Sequence, residues 1–349
     1  MTDALVSSAC VGSGKDARIL DCTLRDGSYS VDFQFSESSI ISILAGLEAC
    51  GIPFIEFGHG LGLGAGEALG KPMLVSDYRC FELAWEHLRK ASWGMFCIPG
   101  IAALAHLRDS ASAGMQFVRV GVEITDVSPA REFIELGKEL GLTVFANLMK
   151  TALLPTRQVI AAVQTCAGYG ADCVYLVDSF GSFVPSDVAE LFGTVGRSLG
   201  IPLGFHGHNN LGLANANALF AVESGAAWID STLDGIGRDA GNTVTESLAA
   251  TLPGERAGEA YDYRALGHLS QKAVRPLPRV VSDRAYQLVA SRTRMHSSFF
   301  PLLTRCAEAA QVDVFDLMTA VAEVDRVNPS EALVMDTARS IAQSRPDHR

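Results

Sequence analysis

Residues 173–208 read CVYLVDSFGSFVPSDVAELFGTVGRSLGIPLGFHGH and contain one complete strand–helix–strand unit. The runs Cys173–Asp178 and Leu203–His208 are almost continuously apolar, which is typical of parallel strands covered on both faces. Between them, Pro185–Leu199 has helical spacing, opens on a proline suited to a first helical turn and stops at Gly200. The stretch therefore predicts a right-handed βαβ unit within a parallel sheet.

The same alternation continues on both sides of this unit. Strand-like runs occur at Ile19–Leu24, Phe54–Gly58, Trp93–Ile98, Phe117–Glu123, Thr143–Leu148, Cys173–Asp178, Leu203–His208 and Trp228–Leu233. Helical patterns separate them, for example Ser36–Ala49, which ends before Gly51. Eight such units in about 250 residues predict an α/β fold of the closed (β/α)8 TIM barrel type. An open doubly wound sheet is the competing architecture.

Three segments are expected along the chain. Residues 1–18 are predicted to be a disordered leader, without the basic and apolar regions of a secretory signal. The barrel is predicted to occupy residues 19–252. Beyond it the strand runs stop, so residues 253–349 are predicted to form a helical C-terminal extension.

Composition excludes several classes of function. The formal net charge of −11 argues against nucleic acid as a partner, because a phosphate backbone needs a basic face. No apolar run is long enough to predict a membrane span. The 8 cysteines are scattered without a C-x-x-C pair, which favours a reducing, cytoplasmic compartment.

Polar residues at the carboxyl ends of two predicted strands indicate a metal site. Asp26 follows the first run, and His206 and His208 end the seventh. Residues two apart in a strand point to the same face, so both imidazoles are expected to aim into the barrel mouth. The three side chains together suit Mn²⁺, Co²⁺ or Mg²⁺ in a catalytic role, with Zn²⁺ an alternative. The competing interpretation of an H-x-H pair is a pair of surface or structural histidines.

Three motifs make the sequence recognisable: LRDG at 24–27, FHGHNNLGLANAN at 205–217 and GRDAGNTVTE at 237–246. They resemble those of the 4-hydroxy-2-oxovalerate aldolases, class II pyruvate aldolases of the HMG-CoA lyase-like metallolyase superfamily. The loop at 59–64, which begins with His59, and the DSFG turn at 178–181 are similar to motifs of the same family. In the extension, MHSSF at 295–299 and VMDTA at 334–338 resemble it more weakly.

The resemblance implies a reaction and roles for individual residues. The reaction is aldol cleavage or condensation of a 4-hydroxy-2-oxo acid, so that pyruvate or another 2-oxo acid and an aldehyde are the small-molecule partners. The intermediate implied is an enolate held by the metal and by Arg25, whose fixed charge suits that role. Ser179 matches the position that holds the substrate carboxylate. The expected supporting residues around the metal ligands are Glu56, Asn242 and His59. Glu56 is expected to orient Arg25 or else to form an ordinary barrel ion pair.

Two positions depart from the family pattern. The first family motif continues RDGMH, with a histidine as acid and base, whereas this chain has Tyr29 there. The family carries YSSF in the extension, whereas this chain has His296 in place of the tyrosine. We therefore expect an exchange, with His296 as general base and Tyr29 as a hydrogen-bonding partner. A solvated His296 is the alternative. Tyr29 is also expected to shape the aldehyde pocket, together with the apolar side chains of Phe33, Leu148 and Phe180.

Other functions share parts of this pattern. A Claisen-type acyl-CoA lyase or condensing enzyme has the same metal ligands, although residues 234–242 lack the cysteine of the lyases. A Schiff-base aldolase using Lys150 is mechanistically different. A non-catalytic scaffold with a decayed site is a third reading. The resemblance also implies docking of an acylating aldehyde dehydrogenase on the extension, with a stand-alone enzyme as the alternative, and it leaves the oligomeric state open, a homo-oligomer included.

Overall fold

The computed structural model describes residues 17–252, 261–280 and 282–344. Eight parallel strands form one closed barrel in chain order, and the first strand pairs with both the second and the eighth. The strands are β1 Arg18–Leu24, β2 Phe54–Phe57, β3 Ser92–Cys97, β4 Phe117–Glu123, β5 Thr143–Met149, β6 Cys173–Asp178, β7 Leu203–Gly207 and β8 Trp228–Ser231. The predicted TIM barrel is confirmed, and its closure excludes the open sheet.

Helices cover the outside of the barrel between successive strands. They are α1 Glu37–Ala49, α2 Ala65–Ala68, α3 Asp77–His87, α4 Leu104–Ser112, α5 Ala130–Glu139, α6 Thr156–Gly168, α7 Pro185–Ser198, α8 Ala214–Glu223 and α9 Thr245–Thr251. The start of α1 is set by Ser36, whose hydroxyl accepts the backbone N–H of Ser39 as an N-cap. The proline at the first turn of α7 fits the prediction for that helix.

The described part of the chain after the barrel is helical. It contains α10 Tyr263–Leu269, α11 Arg284–Thr293, α12 Phe300–Ala310, α13 Val314–Val324 and α14 Glu331–Ser344. The last four helices share a small hydrophobic core of their own, which includes Leu303, Leu317 and Val334. Two hydrogen bonds anchor α11 to the barrel mouth: Ser291 donates to the Gly181 carbonyl, and Asn210 donates to the Gln287 carbonyl.

The predicted leader is wrong at its inner end. Arg18 begins β1, and its backbone N–H donates to the Ala227 carbonyl at 2.9 Å. Ala17 is buried against the main core. Residues 17 and 18 therefore belong to the barrel, because Arg18 pairs with β8 and Ala17 packs into the core beside it. The remaining leader residues, 1–16, lie outside the described residues, as do 253–260, 281 and 345–349 of the extension.

The barrel interior is filled in layers. Aromatic rings close its amino-terminal end, and they belong to Phe54, Phe117, Phe145, Tyr175 and Trp228. Arg119 lies on the next layer, with its guanidinium carbon 4.4 Å from the centroid of the Tyr175 ring. The carboxyl-terminal ends of the strands therefore stand on a packed core, and the polar side chains that follow them share one mouth.

Asp21, a buried carboxylate on β1, should make the stability of the barrel depend on pH. Its carboxylate accepts the Thr23 N–H and the Thr245 hydroxyl, yet burial outweighs these bonds and raises the pKa of Asp21 from 3.8 to about 6. The folded state then binds more protons than the unfolded state in that window, so this group's stabilisation falls as pH rises through it. In Asp21→Asn, the free energy of unfolding relative to wild type should increase by up to about 3 kcal/mol between about pH 4 and about pH 7. Urea unfolding at both pH values checks this, and a constant difference between the two proteins contradicts it.

Candidate active site

The predicted metal ligands converge at the carboxyl-terminal mouth of the barrel. Asp26 opens the short 3-10 turn that follows β1, His206 lies in β7, and His208 lies just beyond it in a bridge to Asn242. All three side chains are buried. One ligand atom from each lies within 4.8 Å of the others. The alternation of side chains along β7 therefore aims both imidazoles at the same point, as the sequence predicts.

Hydrogen bonds leave one nitrogen of each histidine facing Asp26. His206 Nδ1 lies 2.8 Å from the Asp230 carboxylate, and His208 Nδ1 lies 3.2 Å from the Gly241 carbonyl. Both partners are acceptors, so each Nδ1 carries the hydrogen and each Nε2 presents a lone pair. His206 Nε2 lies 3.8 Å from Asp26 Oδ2, too far for a hydrogen bond.

The charge of Asp26 is secured by its surroundings. Burial alone raises the pKa of a carboxyl group, but Arg25, His208 and His206 outweigh burial and hold the pKa of Asp26 far below its ordinary value. Asp26 Oδ2 accepts Arg25 Nη1 at 2.6 Å, and its Oδ1 accepts the Arg238 backbone N–H and the Asn242 side-chain amide. Asp26 is therefore ionised and held in one orientation at neutral pH.

These residues fit a divalent cation. The structure offers one ionised carboxylate and two imidazole nitrogens, and burial lowers the pKa of His208 well below its ordinary value, so its imidazole is neutral. Two nitrogens and one oxygen suit a catalytic metal that keeps further positions for substrate. Asn242 supports this set from behind, because its Nδ2 faces Asp26 Oδ1. Cys22, His206 and Asp230 also lie close together. The Arg119 guanidinium forms an ion pair with Asp230, however, so this group does not suit a cation.

Arg25 lies between Asp26 and Glu56. Its Nε donates to Glu56 Oε2 at 2.7 Å, and its guanidinium carbon lies 4.7 Å from the centroid of the Phe96 ring. Glu56 is fully buried and also accepts from Arg119 at 3.0 Å. Glu56 therefore contacts Arg25 directly, and its role in orienting Arg25 stays a prediction.

A cavity of about 270 Å³ opens above the ligands and contains most of the predicted site residues. Its polar lining comprises Arg25, Asp26, Tyr29, Glu123, Asn147, Lys150, Ser179, His206, His208, Arg238 and His296. Its apolar lining comprises Leu61, Phe96, Ile98, Ile101, Met149 and Val177. Barrel and extension therefore contribute to one cavity.

Tyr29 and His296, the two exchanged positions, both line this cavity. The Tyr29 ring packs against Gly60, where a β-carbon would stand 2.4 Å from it, so only glycine leaves room for this ring. Burial raises the pKa of Tyr29 above its ordinary value, so the phenol stays protonated. His296 precedes a short 3-10 turn, and its Nδ1 accepts the Ser298 backbone N–H at 3.3 Å. The neutral ring therefore carries its hydrogen on Nε2 in this conformation.

Ser179 and Lys150 are tied together at the ends of β6 and β5. The Ser179 hydroxyl accepts the Lys150 backbone N–H at 2.8 Å, and the Ser179 carbonyl accepts from Arg238 at 2.9 Å. Lys150 has a left-handed backbone, with a φ of 61°, and its ammonium pairs with Glu123 at 2.9 Å. The Lys150 side chain is therefore held against a carboxylate at the edge of the cavity.

His59 does not support the metal ligands, contrary to the prediction. Its Nδ1 accepts the Leu61 N–H, its Nε2 lies 3.1 Å from the Lys71 carbonyl, and its ring stacks on Phe33 at 4.0 Å. None of these contacts is with Asp26, His206 or His208. His59 thus braces the loop whose next residues, Gly60 and Leu61, reach the cavity.

The predicted apolar pocket is also wrong in its residues. Asn147 and Met149 line the cavity, so Leu148 between them points outward into the packing between barrel and helices. Phe180 is likewise part of the main hydrophobic core, and Phe33 packs behind Tyr29 with its ring 5.1 Å away. The apolar wall comes instead from the ends of β3, β5 and β6 and from the 59–64 loop.

Three residues that the sequence analysis missed stand close to the site. Asp230 and Arg119 lie in the barrel beneath His206, and Arg238 reaches from the loop after β8 to Ser297 of the extension at 2.9 Å. The signal for the first two was a charged residue in the interior of a largely apolar strand. Arg238 belongs to the GRDAGNTVTE motif at 237–246, but its contacts depend on the fold.

Among the residues that the structure describes, no helix is both long and apolar enough to cross a lipid bilayer.

Comparison with known proteins shows the family of this chain. The sequence model of the HMGL-like family matches residues 16–272. A 4-hydroxy-2-oxovalerate aldolase of Carboxydothermus hydrogenoformans is 33% identical over 333 residues, covering 95% of this chain and 98% of that protein. The 4-hydroxy-2-oxovalerate aldolase 2 of Rhodococcus jostii is 36% identical over 333 residues, covering 94% and 96%.

Solved structures share the fold at lower identity. The carboxyl transferase domain of Rhizobium etli pyruvate carboxylase with pyruvate superposes with a TM-score of 0.78 at 17% identity. The match covers 98% of this chain and 62% of that one. At this identity the likeness shows the fold alone, whereas the sequence matches confirm the resemblance that the motifs indicated. The chain belongs to the HMGL-like family, and its curated relatives there are 4-hydroxy-2-oxovalerate aldolases.

Proposed function

We propose that this protein is a carbon–carbon lyase that cleaves 4-hydroxy-2-oxo acids to pyruvate, or a similar 2-oxo acid, and an aldehyde, and that it catalyses the reverse condensation. The observation that carries the proposal is the convergence of Asp26, His206 and His208 beside Arg25 in one buried cavity. The relatives named 4-hydroxy-2-oxovalerate aldolase, matched over almost their whole length, support the substrate class.

Asp26, His206 and His208 would hold a divalent cation, with Mn²⁺ preferred and Co²⁺, Mg²⁺ or Zn²⁺ as alternatives, because the ligands combine hard oxygen with imidazole nitrogen. When bound, the cation would supply Lewis acidity that stabilises the negative charge developing on the 2-oxo acid. The buried Nδ1 partners of both histidines keep the ligand nitrogens in place.

Arg25 supplies a fixed positive charge where negative charge develops. Cleavage of the C3–C4 bond leaves an electron pair on C3, which is delocalised onto the C2 oxygen as an enolate. Because Glu56 and Asp26 hold Arg25 from two sides, its guanidinium is already oriented before the reaction begins. The Ser179 end of β6, on the same cavity, is assigned to the substrate carboxylate.

Proton transfer is assigned to the His296 side of the cavity. Cleavage requires a base for the proton of the C4 hydroxyl and a proton donor that converts C3 of the enolate into the methyl group of pyruvate, and condensation reverses both transfers. His296 is the imidazole on the cavity wall that is free of the ligand set, and the phenol of Tyr29 faces the same space. Because His296 Nδ1 accepts the Ser298 N–H in this conformation, the hydrogen of the neutral ring lies on Nε2. To act as a base, the ring must release Ser298 and turn a free nitrogen toward the substrate.

The aldehyde is proposed to occupy the apolar side of the cavity. Leu61, Ile98 and Met149 are among the apolar side chains of the cavity lining. A small, unbranched aliphatic aldehyde fits an apolar wall in a cavity of about 270 Å³ that also holds the 2-oxo acid.

The Schiff-base alternative is disfavoured by the ion pair of Lys150 with Glu123, because a protonated amine is not a nucleophile. Purified protein incubated with pyruvate and borohydride should show no adduct on Lys150 by mass spectrometry. Lys150→Met should retain a large part of the turnover with 4-hydroxy-2-oxovalerate. Reductive trapping of Lys150, together with loss of all turnover in this variant, contradicts the metal-dependent mechanism.

The Claisen alternative uses the same ligands and differs in substrate. The decisive assay offers the purified protein 4-hydroxy-2-oxovalerate and, separately, a 3-hydroxyacyl-CoA thioester, with pyruvate and free acyl-CoA products measured. Pyruvate formed from the first substrate alone supports the proposal. Turnover of the thioester alone overturns it in favour of the acyl-CoA lyase.

The surroundings in which the enzyme acts are part of the proposal. The described cysteines are buried and unpaired, which is consistent with a reducing cytoplasm.

The helices after the barrel, within the segment predicted at 253–349, are proposed as the docking site of an acylating aldehyde dehydrogenase that consumes the aldehyde. Co-purification of the protein with such a dehydrogenase from its native host tests this, and a chain that purifies alone favours a stand-alone enzyme.

A further inference from the structure

Two of the metal ligands, Asp26 and His206, belong to a ring of six charged or titratable side chains inside the barrel. Asp26 contacts Arg25 at 2.6 Å, Arg25 contacts Glu56 at 2.7 Å, and Glu56 contacts Arg119 at 3.0 Å. From Arg119 the ring continues to Asp230 at 2.5 Å, from Asp230 to His206 at 2.8 Å, and returns to Asp26 across 3.8 Å. All six are buried. The ring contains three carboxylates and two guanidiniums, which leaves one formal negative charge beside the metal site.

Three members of the ring, Glu56, Arg119 and Asp230, do not line the cavity. Of these, Glu56 contacts Arg25 directly, whereas Asp230 and Arg119 lie further from the substrate space. Asp230 uses a single oxygen, Oδ2, to accept from both Arg119 and His206, while its Oδ1 is buried without a hydrogen-bond partner. A carboxylate oxygen has no hydrogen to donate, so Oδ2 accepts a hydrogen bond from the imidazole as it does from the guanidinium. The bond therefore selects the tautomer of His206 in which Nδ1 carries the hydrogen and Nε2 faces Asp26.

Arg119 spans the barrel between the two acidic members of β2 and β8. Its Nη1 reaches Glu56, and its Nη2 reaches Asp230, so one rigid guanidinium fixes the partner of Arg25 and the partner of His206 at once. The aromatic ring of Tyr175 lies beneath its carbon at 4.4 Å and prevents it from moving down the barrel. Lysine has no planar fork and cannot reproduce this double contact.

We propose that Asp230 and Arg119 are positioning residues of the metal centre: Asp230 fixes the tautomer and direction of His206, and Arg119 couples that orientation to the orientation of Arg25. The inference rests on the proposed function, since it assigns the metal to Asp26, His206 and His208. Replacing Asp230 or Arg119 should therefore change both the affinity for the metal and the orientation of Arg25.

The test compares two substitutions at Asp230 with a matched control. Asp230→Asn keeps an oxygen where Oδ2 stands and should preserve the tautomer, whereas Asp230→Leu removes the acceptor. Asp21→Asn replaces another fully buried barrel carboxylate that lies outside the ring. We expect the Kd for Mn²⁺, measured by titration calorimetry, to rise by about 10-fold or less in Asp230→Asn and by about 100-fold in Asp230→Leu. The Kd of Asp21→Asn should equal that of wild type.

Nitrogen NMR of labelled histidine supplies a readout that a purely structural role does not move. In metal-free wild type and Asp230→Asn, His206 should show a protonated Nδ1, and in Asp230→Leu it should populate both tautomers.

Arg119→Lys should raise the KM for 4-hydroxy-2-oxovalerate and lower kcat at saturating Mn²⁺, because both Arg25 and His206 lose their shared support. Thermal unfolding of each variant establishes that it is folded.

The outcomes separate this inference from the proposed function. If wild type binds no Mn²⁺, the metal assignment itself fails. If wild type binds Mn²⁺ and folded Asp230→Leu binds it equally well with an unchanged tautomer, the positioning role is overturned and the metal assignment stands. Equal weakening in Asp230→Leu and Asp21→Asn also overturns it, because the effect is then one of core packing.

Discussion

Replacing His208 with alanine is expected to abolish metal binding and turnover together. The substitution removes one of three ligands from a buried site, so the Kd for Mn²⁺ should rise by well over the ~100-fold that marks loss of a supporting residue. Turnover of 4-hydroxy-2-oxovalerate should fall below detection at micromolar metal. His208 is not part of the ring of charged side chains around Arg119, and its Nδ1 contacts only a backbone carbonyl. The ring and the fold should therefore be retained in this variant.

His87→Ala is the matched control for this substitution. His87 ends α3 on the outside of the barrel and has only a distant contact with Glu86, at 3.9 Å. Its removal should change neither metal content nor turnover. Full activity and full metal content in His208→Ala, measured by elemental analysis of the folded variant, contradict the ligand assignment.

Replacing His296 with alanine is expected to lower kcat by about 10²–10⁴-fold, the usual contribution of general acid–base catalysis, while metal content stays unchanged. Burial, reinforced by Arg238 and Lys150, lowers the pKa of His296 well below its ordinary value, so the ring stays neutral at physiological pH. His296 should therefore cause no loss of kcat/KM as pH falls from about 8 to the ordinary histidine value of about 6.5. A pH–rate profile of wild type and variant checks both statements.

A glutamine at position 296 separates two roles of the imidazole. Glutamine can donate a hydrogen bond, as an imidazole with its hydrogen on Nε2 can, but it cannot take up a proton. If His296 transfers a proton, His296→Gln should be as slow as His296→Ala. Recovery of activity in His296→Gln restricts His296 to hydrogen-bond donation, and near-normal turnover in both variants removes it from the mechanism.

The barrel could be predicted because its signals are local. Each of the eight strands is a short apolar run with a helix after it, and the bounds of β4 and β6 agree with the predicted runs at both ends. The H-x-H spacing at 206–208 likewise sets the direction of two side chains through the strand period. Asp26 could be added because β1 and β7 are separated by a single neighbour in a closed barrel.

The remainder of the site depends on side-chain direction and on contacts far apart in sequence. Leu148 was misassigned because it lies one residue from both Asn147 and Met149, which are the cavity-lining positions of β5. His59 was misassigned because its ring is held by the Lys71 carbonyl, which no motif encodes. Asp230 and Arg119 lie 111 residues apart, and only barrel closure brings them together.

The measurement that tests the central claim most directly is pyruvate release from 4-hydroxy-2-oxovalerate after thorough EDTA treatment, with and without added Mn²⁺. The account predicts that treated protein is inactive and that Mn²⁺ restores its activity, with no restoration in His208→Ala. Activity that survives complete metal removal, verified by elemental analysis, would contradict the assignment of Asp26, His206 and His208 as the catalytic metal ligands.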